Sequence, residues 1–209
     1  MTRRWHIEGA PTPLQLSAIA KTIRSGGVVL LPTDTIYGLH ALALNAKAVA
    51  RVAAMKGRDE TKPFIVLLSS VDELASLGVD APPRLLEALR SIWPAPLTVI
   101  LALNAPIAAS RGSATLAVRI PALDWLRDLV ARTGPLVSTS ANRSGEPAVQ
   151  APAGFTQDPR NPLDGIVDGG VREGTPSAIL DLSGDEPRFI REGEDSFTQE
   201  VWKTLRKTL

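Results

Sequence analysis

The sequence GGVVLLPTDT, residues 26–35, contains the signals that set the fold of this chain. Its two glycines end a helix that begins at Thr12-Pro13, because threonine suits an N-cap and proline suits the first helical position. The uninterrupted apolar run from Val28 to Leu31 predicts a buried strand. A proline stops this strand and a polar turn comes after it. Helix, buried strand and polar turn in this order predict an α/β fold.

The same alternation continues along the chain. Apolar periodicity predicts further helices, and short apolar runs predict further strands. The helices are expected at 45–57, 83–92, 121–132 and 196–209, and the strands at 64–68, 97–103, 115–120, 136–137, 166–167, 178–182 and 189–191. The first residues, up to His6, are expected to be frayed. The sequence therefore predicts one α/β sheet domain, residues 1–193, and a C-terminal helix, residues 194–209, that packs on this domain or extends from it.

Composition narrows the class of protein. The chain has 209 residues, of which 44% are hydrophobic and 22% charged, and a formal net charge of +1. This charge gives no global reason for tight non-specific binding to nucleic acid. The chain has no cysteine and two histidines, which removes disulfides, thiolate catalysis and cysteine-type zinc sites. Neither a signal peptide nor an apolar run that could span a membrane is apparent, so we expect a soluble, cytoplasmic protein.

Two polar segments come directly after predicted strands, where open α/β sheets usually bind their ligands. One is Thr33-Asp34-Thr35, which is either a turn with a capping aspartate or a site for a small polar substrate. The other is LVSTSANRSGEP, residues 136–147, whose hydroxyl and amide groups favour a turn and also suit an anionic ligand. Both interpretations remain open at this point.

Several cations lie near predicted element ends. Lys56 and Arg58 flank a helix-terminating glycine, and Lys62 lies shortly after them. They either complement the helix dipole or bring positive charge to a polyphosphate. Arg119 lies in a mainly apolar strand, so it is either ion-paired inside the protein or directed at an anion such as a carboxylate. Arg191 is similar, although Glu192 offers it a neighbouring carboxylate.

Common catalytic motifs are absent. The sequence has no Walker loop, no G-x-G-x-x-G fingerprint and no G-x-S-x-G elbow. Two histidines are too few for the usual hydrolase triads, which makes a hydrolase with a histidine base an unfavourable hypothesis. A nucleotide site would have to be of a less common type.

Taken together, the motifs resemble those of the YrdC/TsaC family of threonylcarbamoyl-AMP synthases. In the family's order, the chain contains PTDTIYGL at 32–39, KGR at 56–58 with Lys62-Pro63, WPAPLT at 93–98, AVRIP at 117–121 and STSANRSG at 138–145. The resemblance covers residues 12–193. It implies a YrdC-like, single-domain α/β fold, with a twisted open mixed sheet, helices on both faces and a positively charged concave face.

The resemblance also implies an activity. Family members are nucleotidyltransferases that convert L-threonine, bicarbonate and ATP into threonylcarbamoyl-adenylate and pyrophosphate, with Mg2+ bound through the phosphates. A separate transferase complex then modifies adenosine 37 of tRNA. Direct contact of this chain with RNA is expected to be weak, and no membrane partner is expected.

By resemblance, the matching positions divide between two substrates. The implied ATP-binding residues are Lys56, Arg58, Lys62, Thr115, Ser140, Asn142 and Arg191, and the implied L-threonine-binding residues are Thr35, Arg119, Ser138 and Ser177. Lys56 and Arg58 would stabilise the phosphates. No residue is assigned to proton transfer and no protein group is assigned to the metal.

Three positions depart from the family pattern. His40 stands where a small residue usually comes after Tyr-Gly-Leu, Ala95 replaces a common glycine, and Leu67 occupies a place where some relatives carry histidine.

Two other functions are alternatives to the synthase. A non-catalytic RNA-binding module would need many phosphate contacts, which the net charge disfavours. Carbamoyl-adenylate chemistry of the hydrogenase-maturation type would come with acylphosphatase-like and zinc-finger segments, which are absent from this sequence.

Overall fold

The computed structural model describes residues 1–57, 63–143, 145–184 and 186–208. Within these ranges the chain forms five α-helices and ten strands. The helices are α1 (Pro13–Arg24), α2 (Ala46–Met55), α3 (Pro83–Ile92), α4 (Asp124–Thr133) and α5 (Asp195–Thr208). The strands are β1 (Arg3–His6), β2 (Val29–Pro32), β3 (Tyr37–Leu42), β4 (Ile65–Leu67), β5 (Leu97–Ala102), β6 (Thr115–Arg119), β7 (Leu136–Ser140), β8 (Gly165–Asp168), β9 (Ala178–Asp181) and β10 (Arg188–Arg191). Three short 3-10 segments, Val71–Leu77, Ala108–Ser110 and Pro152–Gly154, connect them.

All ten strands belong to one open mixed sheet. Their order is β1-β8-β2-β3-β7-β4-β6-β5-β9-β10. Strands β2 and β3 form a hairpin, whereas β8 and β9 reach parallel partners through longer connections. Strands β3, β7, β4 and β6 occupy the middle of the sheet, so residues distant in sequence become neighbours there.

Helices cover both faces of the sheet, as predicted. Successive side chains of a strand point to opposite faces, and β2 shows the consequence clearly. Leu30 belongs to a core cluster with residues of α2, α3 and α5, whereas Leu31 belongs to a second cluster with residues of α1 and α4. Burial of apolar surface on the two faces is the main force that holds these layers together.

Helix α1 begins as its sequence predicts. Thr12 Oγ1 accepts a hydrogen bond from the Gln15 backbone N–H (3.3 Å), and the Gln15 side chain accepts one from the Thr12 N–H (2.8 Å). This reciprocal pair is a capping box that satisfies two otherwise unpaired donors. The Asn45 side chain caps α2 in a similar way by accepting from the Ala48 N–H.

Two strands differ from the expectation. Arg3–His6, expected to be frayed, forms β1 and pairs in parallel with β8. Tyr37–Leu42, which comes after the polar turn that ends β2, forms β3 and lies between β2 and β7. Both strands contain polar or glycine residues that weaken the local signal, and their pairing partners provide the missing hydrogen bonds.

Helix α5 packs on the domain. Val201 and Leu205 are buried in the same cluster as α3, and the rings of Phe189 and Trp202 meet edge to face with centroids 5.5 Å apart. Within the described part of the chain, none of the helices has the length and apolar character needed to cross a membrane.

Candidate active site

A cleft of about 610 Å³ opens above the centre of the sheet. Its floor is formed by Gly38 of β3, Ser138 and Ser140 of β7, Ile65 of β4 and Ala117 of β6. The register explains why they meet, because Gly38 is the cross-strand partner of Ser140 and Ile65 that of both Ser138 and Ala117. Alternation along the strands places the cleft on the face that α1 and α4 cover elsewhere.

Arg119 and the turn after β2 form one wall of the cleft. Arg119 is only 5% exposed, and its Nη1 donates to Thr35 Oγ1 over 3.0 Å. Its Nη2 lies 2.7 Å from Oδ2 of Asp34, which also accepts the backbone N–H of Ala122 just before α4. Thr33 Oγ1 lies 2.9 Å from Thr35 Oγ1 and braces the turn. Arg119 is therefore ion-paired inside the protein, as one of the two interpretations predicts, and it also lines the cleft.

Arg119 remains a cation despite its burial. Removal from water lowers its pKa below the ordinary value for arginine, and the charge of Asp34 opposes this shift. An arginine that starts so far above neutrality stays protonated. Within the described residues, its Nε has no hydrogen-bond partner. The wall thus retains an unused donor on a fixed guanidinium.

A second cation lies at the opposite wall. Arg191 of β10 donates from Nε to the carbonyl oxygen of Ser177 (2.7 Å), and the Ser177 hydroxyl lies 2.8 Å from that of Thr98. Burial and then the positive charge of Arg119 lower the pKa of Arg191. Among the described residues no carboxylate lies within 4 Å of its guanidinium. The expectation that Glu192 offers Arg191 a carboxylate partner is therefore wrong. Two guanidinium groups that repel each other favour an anionic ligand between them.

The end of α2 meets the loop after β7. Lys56 is only 2% exposed, and its Nζ donates to Ser140 O (2.7 Å), Ser140 Oγ (3.2 Å) and Asn142 Oδ1 (2.5 Å). The Asn142 amide in turn donates to the carbonyl of Glu146. Lys56 thereby orders the small polar groups of this loop, while Arg143 beside them is exposed.

Most of the residues singled out in the sequence come together. Those that line the cleft are Thr35, Arg119, Ser138, Ser140, Ser177 and Arg191. Lys56 and Asn142 lie behind Ser140, and Thr115 lies on β6 two residues before the floor residue Ala117, with Oγ1 3.0 Å from Ser113 Oγ. Arg58 and Lys62 lie outside the described residues.

The sequence did not predict that Tyr37 connects the site to the segment after β8. Its hydroxyl donates to Gly170 O (2.8 Å) and accepts from Gly169 N–H (2.9 Å), and burial raises its pKa, which keeps the phenol protonated. From sequence alone, Gly169-Gly170 indicates only a turn. The next segment passes so close to the first wall that a Cβ on Gly174 would overlap the carbonyl oxygen of Thr35. The glycines at 169, 170 and 174 were the available signal.

Comparison with known proteins adds a family to this geometry. The model of the Sua5/YciO/YrdC family, described as "Telomere recombination", matches residues 21–193. The chain is 32% identical over 201 residues to a threonylcarbamoyl-AMP synthase of Bacillus subtilis, covering 92% of this chain and 58% of that protein. It is 35% identical to one of Pseudomonas paraeruginosa, covering 78% of this chain and 90% of the relative.

Solved structures show the same architecture. Sua5 of Pyrococcus abyssi complexed with L-threonine superimposes with a TM-score of 0.86 at 30% identity, over 96% of this chain and 61% of that one. YciO of Escherichia coli gives a TM-score of 0.81 over 93% and 97% of the two chains, and at 22% identity it shows the fold alone. The chain spans less than two thirds of the Bacillus and Pyrococcus proteins. The family model and the relatives together establish that the chain belongs to the Sua5/YciO/YrdC family.

Proposed function

We propose that this chain is a threonylcarbamoyl-AMP synthase, a nucleotidyltransferase that uses L-threonine, bicarbonate and ATP. The observation that carries the proposal is the arrangement of the cleft. The guanidinium of Arg119, a group that suits a carboxylate, lies at the same sheet floor as the polar loop that Lys56 orders. Relatives named for this activity and a Pyrococcus relative complexed with L-threonine support it.

L-Threonine would bind at the first wall. A carboxylate matches the guanidinium of Arg119, whose orientation Asp34 and Thr35 already fix. Ser138 and Ser177 supply hydroxyls at the cleft surface, which suit the polar groups of a small amino acid. Preformed hydrogen bonds reduce the ordering that binding would otherwise require.

ATP would occupy the remainder of the cleft. Lys56, Ser140 and Asn142 would hold its phosphates, with Thr115 of β6 and Arg191 of β10. The family pattern adds Arg58 and Lys62. Within the described residues no group of three or more histidines or carboxylates could hold a metal ion. Mg2+ would enter with ATP, whose phosphate oxygens would supply its ligands and whose charge the ion would neutralise.

The reaction would proceed in two substitutions. The threonine nitrogen attacks the carbon of bicarbonate; a carbamate forms, and one water and one proton are released. A carbamate oxygen then attacks the α-phosphorus, the bond to the bridging oxygen breaks, and pyrophosphate leaves. The cleft offers positioning and fixed positive charge, which are effective for such steps. Lys56 and Arg58 would stabilise the charge that develops on pyrophosphate.

The product of this reaction is a mixed anhydride of a carbamate and AMP. Such an anhydride is an activated acyl donor, so an enzyme that transfers the acyl group must consume it. By the family resemblance the acceptor is adenosine 37 of tRNA, acted on by a separate transferase complex. The cleft need not hold tRNA for this scheme.

The test is pyrophosphate release by the purified protein. With Mg-ATP, bicarbonate and L-threonine we expect release that stops when either threonine or bicarbonate is omitted. L-Alanine serves as the control amino acid, because it retains the carboxylate and amine but lacks the side-chain hydroxyl. Release that is independent of threonine would contradict the proposal.

A further inference from the structure

His40 lies directly beneath the cleft. It is fully buried on β3, and its cross-strand partner is Ser138 of β7. Gly38, two residues earlier on the same face, makes room for the ring, because a Cβ there would lie 2.8 Å from His40 Cε1. The imidazole therefore occupies space that any other residue at position 38 would restrict.

The two ring nitrogens have different partners. Nδ1 lies 3.0 Å from the carbonyl oxygen of Gly38, and Nε2 lies 3.1 Å from Ser138 Oγ. A carbonyl only accepts, so Nδ1 must carry the proton in the first bond. In a neutral ring Nε2 then has no proton, and the Ser138 hydroxyl must donate to it. This chain of hydrogen bonds fixes the direction of the Ser138 O–H.

The ring is neutral at ordinary pH. Burial lowers the pKa of His40 from 6.5 to about 4, and the positive charge of Arg119 acts in the same direction. The carbonyls of Gly38 and Val29 oppose the shift but do not reverse it. Neither strand of the hairpin contains a carboxylate residue. The charged group that acts on the ring is the cation of Arg119, across the floor of the cleft.

The consequence reaches the substrate through Ser138. Ser138 is half-buried and lines the cleft, so its oxygen is accessible while its proton is committed to His40. We propose that His40 is a positioning residue that makes Ser138 a dedicated hydrogen-bond acceptor for a donor group of the amino-acid substrate. The inference rests on the proposed function for the identity of the substrate. That donor is its ammonium or its hydroxyl group, since its carboxylate only accepts.

A purely structural histidine would behave differently. A core histidine needs satisfied ring nitrogens, but its loss would change stability without distinguishing one substrate from another. A positioning histidine changes threonine binding and leaves ATP binding unaltered, because Ser138 lies on the proposed threonine side.

The tautomer can be measured directly. The chain has only two histidines, and His6→Gln leaves His40 as the one imidazole. A long-range proton–nitrogen correlation spectrum of the free protein should show Nδ1 protonated and Nε2 unprotonated at pH 7. L-Threonine should shift the Nε2 signal. A proton on Nε2 would overturn the inference whatever the enzyme's activity proves to be.

Binding measurements provide a second test of the role of His40. By calorimetry we expect His40→Phe, which keeps the ring but not its nitrogens, to raise the Kd of L-threonine about tenfold and that of ATP less than about twofold. His40→Gln retains an acceptor oxygen and should recover most of the affinity. Threonine affinity unchanged in His40→Phe would overturn the inference. If that variant fails to fold, His40→Gln and the tautomer decide.

A substrate analogue identifies the donor group. L-2-Aminobutyrate lacks the threonine hydroxyl but retains the ammonium. If its Kd shows the same dependence on His40, the ammonium is the donor, and if the dependence disappears, the hydroxyl is; both results support an acceptor role for Ser138. If the wild-type protein binds no threonine while the tautomer is as inferred, the proposed function fails and the His40–Ser138 bond stands.

Discussion

Arg119 and Asp34 form an ion pair beneath the wall of the cleft, with Nη2 2.7 Å from Oδ2 and side chains only 6% and 10% exposed. The same carboxylate accepts the N–H of Ala122, and the same guanidinium donates to Thr35. The pair therefore connects β6, the turn after β2 and the start of α4. Its burial means that it serves to orient the guanidinium more than to add stability.

Arg119→Lys tests this orientation. Lysine keeps the charge but cannot reach Asp34, Thr35 and a ligand carboxylate with one planar fork. We expect the KM for L-threonine to rise roughly 100-fold and the KM for ATP to stay within about threefold. Steady-state pyrophosphate release measures both, and Arg90→Lys, in an exposed pair with Asp72, is the control. An unchanged threonine KM would mean that Arg119 only neutralises Asp34.

Lys56→Met tests the loop after β7. Methionine fills similar volume but offers no donor to Ser140 and Asn142. We expect the free energy of unfolding to fall by about 2 kcal/mol, because buried acceptors lose a charged partner. The Kd of ATP should rise at least about tenfold. Chemical denaturation and calorimetry check the two effects.

Lys47→Met is the matched control for Lys56→Met, because Lys47 lies in the first turn of the same helix. If Lys56→Met lowers stability but binds ATP normally, Lys56 only holds the loop. Normal stability and normal ATP binding together would contradict the hydrogen bonds described for its ammonium group.

Gly174→Ala tests the segment that crosses the first wall. A Cβ at this position overlaps the Thr35 carbonyl oxygen, so the backbone must shift. We expect threonine affinity to fall at least about tenfold, since the shift displaces a wall held by hydrogen bonds. Gly184→Ala is the control, because its added Cβ meets no atom of the described residues within 4 Å. Equal affinities in the two variants would show that the segment yields without cost to the site.

The stability of the protein should depend on pH through His40. Its pKa in the folded state is about 4, below the ordinary 6.5, so the unfolded chain binds this proton more tightly. The contribution of neutral His40 is therefore complete above pH 6.5 and is lost as pH falls towards 4. It amounts to about 3 kcal/mol across this window.

Denaturant titrations at several pH values isolate the His40 contribution. As pH falls from about 7 to about 4, the unfolding free energy of the wild type should fall relative to that of His40→Phe, because phenylalanine cannot titrate. His6→Gln, which removes the exposed histidine and leaves His40 in place, is the control. Parallel curves for wild type and His40→Phe would contradict a buried, neutral imidazole.

Local pattern predicts much of the fold. Caps and periodicity place all five helices, and apolar runs place all strands of the described residues except β1 and β3. The failures have a common cause, which is that β1 and β3 are stabilised by partners and not by their own composition. In β3, Gly38 and His40 weaken the strand signal. In the folded sheet the two residues fit together, because the His40 ring fills the space that Gly38 leaves beside β7.

The sequence predicted candidate residues of the site but not the hydrogen bonds and ion pairs that join them. Thr35, Arg119 and Ser138 could be singled out from their sequence context and from the family pattern. The sequence left open whether Arg119 is ion-paired or faces a ligand, and the structure shows that it is paired with Asp34 and also lines the cleft. The hydrogen bonds between His40 and Ser138 and from Tyr37 to Gly170 join distant segments, which no local pattern contains.

The most direct test of the proposed function traces carbon from bicarbonate into the product. The purified protein is incubated with Mg-ATP, L-threonine and bicarbonate labelled with carbon-13, and the nucleotide products are resolved by mass spectrometry. We predict a threonylcarbamoyl-adenylate that carries the label, formed together with pyrophosphate and lost when threonine is omitted. Hydrolysis of ATP without any labelled adenylate would contradict the account of this cleft as a two-substrate synthase site.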